Sequence, residues 1–463
     1  MSLRGRLRDP NGSALLPVLA VLLVISLIFT SIVFYGAWHK LKAQRVYLKI
    51  KAEYLAEAGV NRAIWYLSGN GGKDIHWRPS NESVETTGNS SCSFSVSNWG
   101  GYLLVESAGK AGAVQRRVRA LIGQKPDDYF NRAINLGDPA YPLVVTGSNR
   151  IVGDVLVGPA GVLEGKYKGE GFFGPKAVIG NILSQSNTEF PAISDWMLEE
   201  FKKTVRVNRE NAIKQDCALT IDDHTENDFL KSKKLSVSGN IVITSQAEKL
   251  FYGPGFLHSE GNITISGNVN LDSNLILVAE DGISVTGQSQ IRDCILNSKS
   301  AIILGDRCGV QGQIISDGDI VVEYKAIVKY PSFLSVRGKA RDKKIEGELS
   351  LQTQELVEGI LLYYDDSISN QLALVRENRG IISVSKDTKF KGVILSTNRT
   401  RQEGIVSGNI TTGTFYFSSP PTEHVNWLRN SLTDRTALRR EMILPLIFDG
   451  QPKLEIADYR VLN

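Results

Sequence analysis

Residues 13–35 read SALLPVLAVLLVISLIFTSIVFY, and they lie within a run from Pro10 to Trp38 that carries no charged side chain. The run is 29 positions long, whereas about 20 apolar residues suffice for a helix to cross the hydrocarbon core of a bilayer. The run therefore predicts a transmembrane helix that anchors the protein in a lipid bilayer.

A cleaved secretory signal is the alternative interpretation of this run. Such a signal has a shorter apolar region that is followed by small residues at the cleavage site. Here the bulky residues Phe34, Tyr35 and Trp38 end the run. A buried core helix of this length without a charge would also be unusual. The anchor is the favoured interpretation.

The helical pattern continues beyond Trp38 to about Leu67, because neither a proline nor a cluster of turn residues interrupts it. Apolar or small residues recur at spacings of three, four or seven: Leu41, Leu48, Ala52, Leu55, Gly59, Ala63 and Leu67. We predict one helix over residues 13–69. Its first half is apolar all round, and its second half has a single apolar stripe.

Three features of the first quarter of the chain resemble a known family. They are the basic segment RGRLR at Arg4–Arg8, Gly12 before the apolar run, and KAEYLAEAGVNRAIWYL at Lys51–Leu67. The chain looks like a type IV pilin-like protein, and its AEAG segment resembles that of PilX-type minor pilins and of the large tip pseudopilins of type II secretion. The resemblance implies a spine helix that packs against other pilin-like subunits in a pilus or pseudopilus.

The resemblance also implies processing and a location. A prepilin peptidase would remove the basic leader 1–12 by cutting after Gly12, and Ser13 would become the new N-terminus. Major pilins mostly carry a glutamate at the fifth mature position, where this chain has Pro17. This departure indicates a subunit at the tip or outside a regular filament. The family is found in the bacterial cell envelope, with the large domain outside the cytoplasm.

The charge of the chain is divided unevenly. The net charge is +4 over 463 residues, but the first 51 residues alone carry +7 and the remainder carries −3. The large outer part is therefore not a nucleic-acid binder by charge. Positive residues flank the apolar run on both sides, so their count does not fix its orientation. Four cysteines are too few for a disulfide scaffold.

Two kinds of β structure follow the helix. Alternating apolar residues at 92–96, 101–107 and 114–122 predict antiparallel strands in a small pilin-like β domain, residues 70–124, that packs on the second half of the helix. Farther on, apolar pairs recur every 19 or 20 residues: Phe256-Leu257, Ile276-Leu277, Ile295-Leu296, Ile314-Ile315 and Phe333-Leu334. A fixed period of this length predicts a solenoid.

The repeat composition selects the type of solenoid. Leucine-rich repeats have a similar period but need leucine at several fixed positions, whereas Ile, Val and Phe alternate here with Gly-Asn and Asp-Gly turns. These residues favour a parallel β-helix over residues 125–420. A helical insertion is predicted at 186–234, with Ser194 as a candidate N-cap. The tail 421–463 is predicted to cap the last coil, because an open strand edge needs cover.

The fold class is therefore mainly β: a long transmembrane helix, a small antiparallel sheet and a capped parallel β-helix. With coils 19 residues apart, Cys294 would stack over Gln313 and Cys308 over Ser289, so the two cysteines would not form a disulfide.

Few residues suggest chemistry. The compact acidic groups are Asp365-Asp366 and Asp222-Asp223-His224, and neither recurs in a neighbouring coil as the carboxylates of a carbohydrate-cleaving groove would. The five histidines are scattered without metal-ligand spacing, and no phosphate-binding loop occurs. We expect no catalytic residue, no metal and no cofactor.

The sequence thus predicts a non-enzymatic, pilin-like envelope protein that displays its β-helix, with a surface polysaccharide or a protein as a possible adhesion ligand. The alternative is a membrane-tethered β-helix enzyme, a polysaccharide lyase or hydrolase. A third possibility is a scaffold whose solenoids join end to end, which the expected capping tail disfavours.

Overall fold

The N-terminal element is a single unbroken helix. The computed structural model describes residues 15–69, 82–86, 90–186, 191, 193, 196–341, 344–365, 380–438, 442–448 and 453–462. Helix α1 spans Leu15–Gly69, 55 residues, which at a rise of about 1.5 Å per residue makes it roughly 80 Å long. The helix runs through Trp38 to Lys51 without a break, as predicted.

The small antiparallel sheet begins after the helix. Its first four strands are β1 (Glu82–Thr86), β2 (Ser90–Trp99), β3 (Tyr102–Ala111) and β4 (Val114–Gln124). They pair in sequence order, as short alternating strands joined by tight turns do. One face of the sheet packs against α1 through the buried helix residues Ala52, Ala56, Val60, Ala63 and Leu67.

The parallel solenoid forms the largest part of the protein and confirms the predicted β-helical architecture. Its strands before the second helix are β5 (Ile134–Leu136), β6 (Leu143–Thr146), β7 (Arg150–Val152), β8 (Val155–Val157), β9 (Val162–Glu164), β10 (Val178–Ile179) and β11 (Ile182–Ser184). Helix α2 (Trp196–Glu210) follows.

The remaining solenoid strands lie after α2. They are β12 (Ile213–Gln215), β13 (Leu219–Ile221), β14 (Lys234–Val237), β15 (Ile241–Tyr252), β16 (Gly255–Ser259), β17 (Ile263–Asp272), β18 (Leu275–Ala279), β19 (Gly282–Val285), β20 (Gln290–Ser298), β21 (Ala301–Leu304), β22 (Gly309–Ser316), β23 (Ile320–Val322), β24 (Ile327–Val328), β25 (Phe333–Arg341), β26 (Lys344–Glu346), β27 (Glu348–Leu351), β28 (Leu356–Asp365), β29 (Ile381–Val384), β30 (Lys389–Gln402), β31 (Ile405–Ser419), β32 (Thr422–Val425), β33 (Trp427–Arg429) and β34 (Leu432–Asp434).

One column of apolar side chains runs the length of the solenoid. Parallel pairing places these residues in register in successive coils: Ile213, Leu235, Leu257, Leu277, Leu296, Ile314, Leu334, Leu361, Ile394, Ile410, Ile134, Val155 and Ile182. Strands stack about 4.8 Å apart, so the column is roughly 58 Å long. The predicted pairs from Leu257 to Leu296 share this register.

The predicted register is wrong by one residue at the next coil. Asp293 is an extra residue with a positive φ of 51°, and the pairing shifts between Arg292 and Cys294. Ile295 therefore pairs with Gln313 and not with Ile314, and Cys294 pairs with Gly312 and not with Gln313. A β-bulge shortens the spacing between paired residues in this way.

The solenoid contains coils from both ends of its own chain segment. Strand β5 lies between β31 and β8, and β7 lies between β34 and β10. The chain therefore enters the solenoid at β5, at a position two coils away from one end, and first builds those two end coils. It then crosses to the opposite end, where β12 begins, and winds back until β31 stacks on β5.

Helix α2 makes the crossing along the side of the coils. Its buried side chains Met197, Leu198 and Phe201 pack between the small sheet and the solenoid. The predicted insertion at 186–234 is too long, because β12 and β13 already belong to the terminal coil and pair with β14 and β15. Ser194 lies outside the described residues.

The C-terminal segment does not cap the solenoid as predicted. Its last strand, β35 (Leu454–Leu462), pairs antiparallel with β4 as the fifth strand of the small sheet. Strands β33 and β34, which the prediction also assigned to the cap, pair with β6 and β7 inside the solenoid. The whole solenoid is thus inserted between two neighbouring strands of the small sheet.

We predict that truncating a residue of the apolar column lowers the free energy of unfolding more, the more deeply that residue is buried. Ile394→Ala, at a fully buried position, should cost about 2–5 kcal/mol because it removes packed atoms and leaves a cavity. Ile182→Ala, in the same column but 47% exposed, should cost about 1 kcal/mol or less. Urea unfolding followed by circular dichroism measures both, and equal losses would contradict the register.

Candidate assembly surface

The first half of α1 has no partner within the described part of the chain. Its large apolar side chains are about half exposed or more, from Leu15 at 67% to Trp38 at 51%, on every side of the helix. A soluble protein rarely leaves so large an apolar surface in water. By length and composition the helix is suited to cross a membrane.

The few polar side chains in this half bond within the helix. The hydroxyl groups of Ser26, Thr30 and Ser31 donate to the carbonyl oxygens of Leu23, Ser26 and Leu27 at 2.9, 2.7 and 2.8 Å. Each hydroxyl is therefore satisfied without water. An apolar environment, whether lipid or other helices, suits this surface because these three hydroxyl groups are already paired within the helix.

The second half of α1 lies very close to strand β3. A Cβ atom added to Gly59 would overlap the Ser107 hydroxyl, and one added to Gly109 would overlap the backbone of Ala52 and Ala56. The glycine of the AEAG segment therefore lets the helix backbone approach the sheet. Nearby, the Tyr459 hydroxyl of β35 donates to Glu57 Oε1 at 3.3 Å.

A buried glutamine joins the small sheet to the solenoid. Gln313 is 2% exposed. Its Oε1 accepts from Gly101 N at 2.7 Å, and its Nε2 donates to Trp99 O at 2.5 Å. These groups belong to the β2–β3 turn. A second link pairs Arg460 of β35 with Asp293, and burial raises the pKa of Asp293 to about 6.

A cleft lies beside this joint. It has a volume of about 740 Å³ and separates strands β2–β4 from the solenoid turns at Pro254 and Asn274. Its sheet wall carries Arg117, Arg119 and Glu106, and Arg119 donates to Glu106 at 3.0 Å. The walls combine serine and charged side chains with apolar ones such as Phe94, Val118 and Leu462, and the cleft is open to solvent.

The predicted leader-processing residues Gly12 and Ser13 lie outside the described residues, as does Asp366. Asp365 ends strand β28 and is 7% exposed. Asp222 and Asp223 form a turn between coils: Asp222 accepts from His224 N at 3.0 Å, and Asp223 accepts from the Ser245 hydroxyl. These contacts hold the turn together.

A polar triad that the sequence analysis missed lies under α2. Ser236 Oγ is 2.9 Å from His258 Nδ1, and His258 Nε2 is 3.2 Å from Glu280 Oε1. Ser236 and His258 pair across neighbouring coils. The signal in the sequence was the spacing: 22 residues separate Ser236 from His258, and 22 separate His258 from Glu280.

The triad is inaccessible to a substrate. His258 is fully buried, Ser236 is 8% exposed, and Arg209 of α2 binds Glu280 at 3.1 Å. Burial lowers the pKa of His258. Burial raises the pKa of Glu280, but hydrogen bonds from Lys299 and His258 outweigh it and hold the pKa below its usual value. The arrangement fastens α2 to the coils.

Comparisons with known proteins do not assign this chain to a family. No protein-family model matches the chain, and no curated protein matches it. A solved structure, the competence-associated pilin ComZ from Thermus thermophilus, matches at 13% identity over 90% of this chain and 98% of that chain, with a TM-score of 0.22. A TM-score this low does not establish a shared fold.

We predict that the close approach of α1 to the sheet needs Gly59. Gly59→Val should separate the helix from β3, because the added side chain would overlap Ser107. Limited proteolysis of the purified chain should then cut within residues 48–67, whereas packing on the sheet should protect this segment in the wild type. Ala58→Val, at an exposed position on the same turn, is the control and should leave the digest unchanged. Equal digests of all three proteins would refute the close contact.

Proposed function

We propose that the protein is a pilin-like subunit of the bacterial envelope. Its helix α1 enters the membrane and later packs against other pilin-like spines, and its solenoid is displayed outside the cytoplasm. The observation that carries the proposal is the division of α1: an exposed apolar half of membrane-spanning length continues without a break into a half that is fixed to a small antiparallel sheet.

The finer features of the proposal follow from the residues. A leader ending at Gly12 and the AEAG segment support the pilin pathway, and Pro17 supports a tip or minor position. The solenoid serves as a rigid, non-enzymatic projection whose surface contacts a ligand. Two links, at Gln313 and at Asp293, join the solenoid to the small sheet. Because two contacts resist rotation better than one, they support a rigid connection between the solenoid and the sheet.

We predict that charge in the middle of the apolar run releases the protein from membranes. The double variant Leu22→Asp/Ile25→Asp should appear in the soluble fraction, since each carboxylate at the bilayer centre costs about 2.5–3.5 kcal/mol. The control Leu250→Asp changes an apolar side chain on the solenoid that is 41% exposed and should stay with membranes. Fractionation and immunoblotting measure the distribution.

Cross-linking separates assembly from simple anchoring. A photoreactive residue at Leu27 should yield adducts with other pilin-like subunits in intact cells. N-terminal sequencing of the membrane-bound chain should begin at Ser13. A double variant that stays in the membrane fraction would refute the anchor, and adducts with lipid alone together with an intact Met1 would refute the pilin assembly.

A further inference from the structure

The apolar column of the solenoid opens to solvent at both of its ends. Every internal member is at most 3% exposed, whereas Ile182 is 47% exposed and Ile213 is 64% exposed. The two residues occupy the same column on the same face of the coils. Each is therefore an inward-facing residue that lacks the next coil.

The backbone is open at the same two places. Among the described strands, β10 and β11 pair only with β7 and β8, and β12 and β13 pair only with β14 and β15. The outer edge of each terminal coil thus has backbone groups that no described strand receives. Such edges are templates for pairing with another strand.

The two edges are complementary and not merely similar. From β12 to β31 the coils wind in one direction along the axis, and the coils that contain β5–β11 continue that direction beyond β31. A second copy translated along the axis would set its β12 beside β11 as a parallel neighbour. The column would continue from Ile182 of one copy to Ile213 of the next.

The charges of the two ends differ in sign. Residues 159–186, which form the terminal coil that contains Ile182, contain three lysines and two glutamates. Residues 213–234, the coil at the other end, contain four lysines and five acidic residues, and three of those lysines follow Leu230 on the covered side. On the open part, Asp216, Asp222 and Asp223 outnumber Lys214, so unlike ends attract there. The charges therefore favour contact between opposite ends.

The end at Ile213 also limits the contact. On one side of this coil Leu230 is buried and Phe229 packs against the core, so that side is already covered. The open part comprises β12 and β13. A partner coil there would meet the two faces that β11 and β9 present at the opposite end.

We propose that the solenoid binds a second copy of this chain head to tail, with β11 of one copy pairing with β12 of the next. The contact buries Ile182 against Ile213 and continues the parallel sheet across the two molecules. It does not involve α1, so it is independent of membrane insertion. An unlike-end contact of this kind does not close and would extend into a row of solenoids.

Cysteine cross-linking of the full-length chain in detergent micelles tests the contact. The exposed Cys217 is first changed to serine; Cys92, Cys294 and Cys308 are buried. Paired strands set their Cα atoms about 4.8 Å apart, within the range of about 4.4–6.8 Å that a disulfide spans. Mixing the Ile182→Cys and Ile213→Cys variants under mild oxidation should therefore give a disulfide-linked dimer.

The controls identify the geometry. Each variant oxidised alone should give no dimer, and Ile405→Cys, at a 37% exposed position on the flank of the solenoid, should give none with Ile213→Cys. Adding Ile182→Asp to the Ile213→Cys partner should leave the dimer intact, because the Ile182 end of that copy lies outside the cross-linked contact. Unchanged urea midpoints show that the variants fold.

Three results would overturn the proposal. They are the absence of a mixed dimer, an equal yield of dimers from Ile182→Cys alone, and cross-linking of Ile405→Cys as strongly as Ile182→Cys. If the mixed dimer is lost but a cell-membrane preparation gives an adduct of Ile182→Cys with a different protein, the open edge serves a foreign strand and the self-contact is wrong.

Discussion

The pairing of β5 with β31 is the contact on which the rest of the structure depends. Ile134 stacks on Ile410, and Ile410 N donates to Ala133 O at 2.9 Å. Asn135 is 1% exposed and donates to Thr411 Oγ1 at 3.0 Å. On the same seam, Arg435 Nε donates to Phe130 O at 2.8 Å. These bonds join the two ends of a long chain segment into a single column of coils.

This closure explains how a solenoid can be inserted into a small sheet. Neighbouring strands of the sheet, β4 and β35, must receive chain ends that lie close together, and the seam holds 133 and 435 side by side. The sheet in turn fixes the second half of α1. Force or orientation applied to the helix is therefore transmitted to the solenoid through the Gln313 joint and the Arg460–Asp293 pair.

The local parts of the fold could be predicted from the sequence, and the long-range parts could not. The helix and the coils from Leu257 to Leu296 follow from apolar spacing, which local chemistry sets. The pairing of β5 with β31 could not be predicted. Strands β5 and β8 have only three residues each, which is too short for a clear apolar pattern, and Ile134 is far from Ile410 in sequence. The assembly surface was predicted from its apolar run. The Gln313 joint was missed because a glutamine interrupts an apolar column, and its partner turn lies more than 200 residues away.

Hydrogen–deuterium exchange on the full-length protein in detergent micelles tests the closure most directly. If the two chain ends form one column, the amides of residues 134–136 and 410–412 exchange slowly and at matching rates, as slowly as those of 394–396 in the middle of the solenoid. If residues 134–136 exchange within seconds while 394–396 are protected, the first strands are not part of the column and the account is wrong.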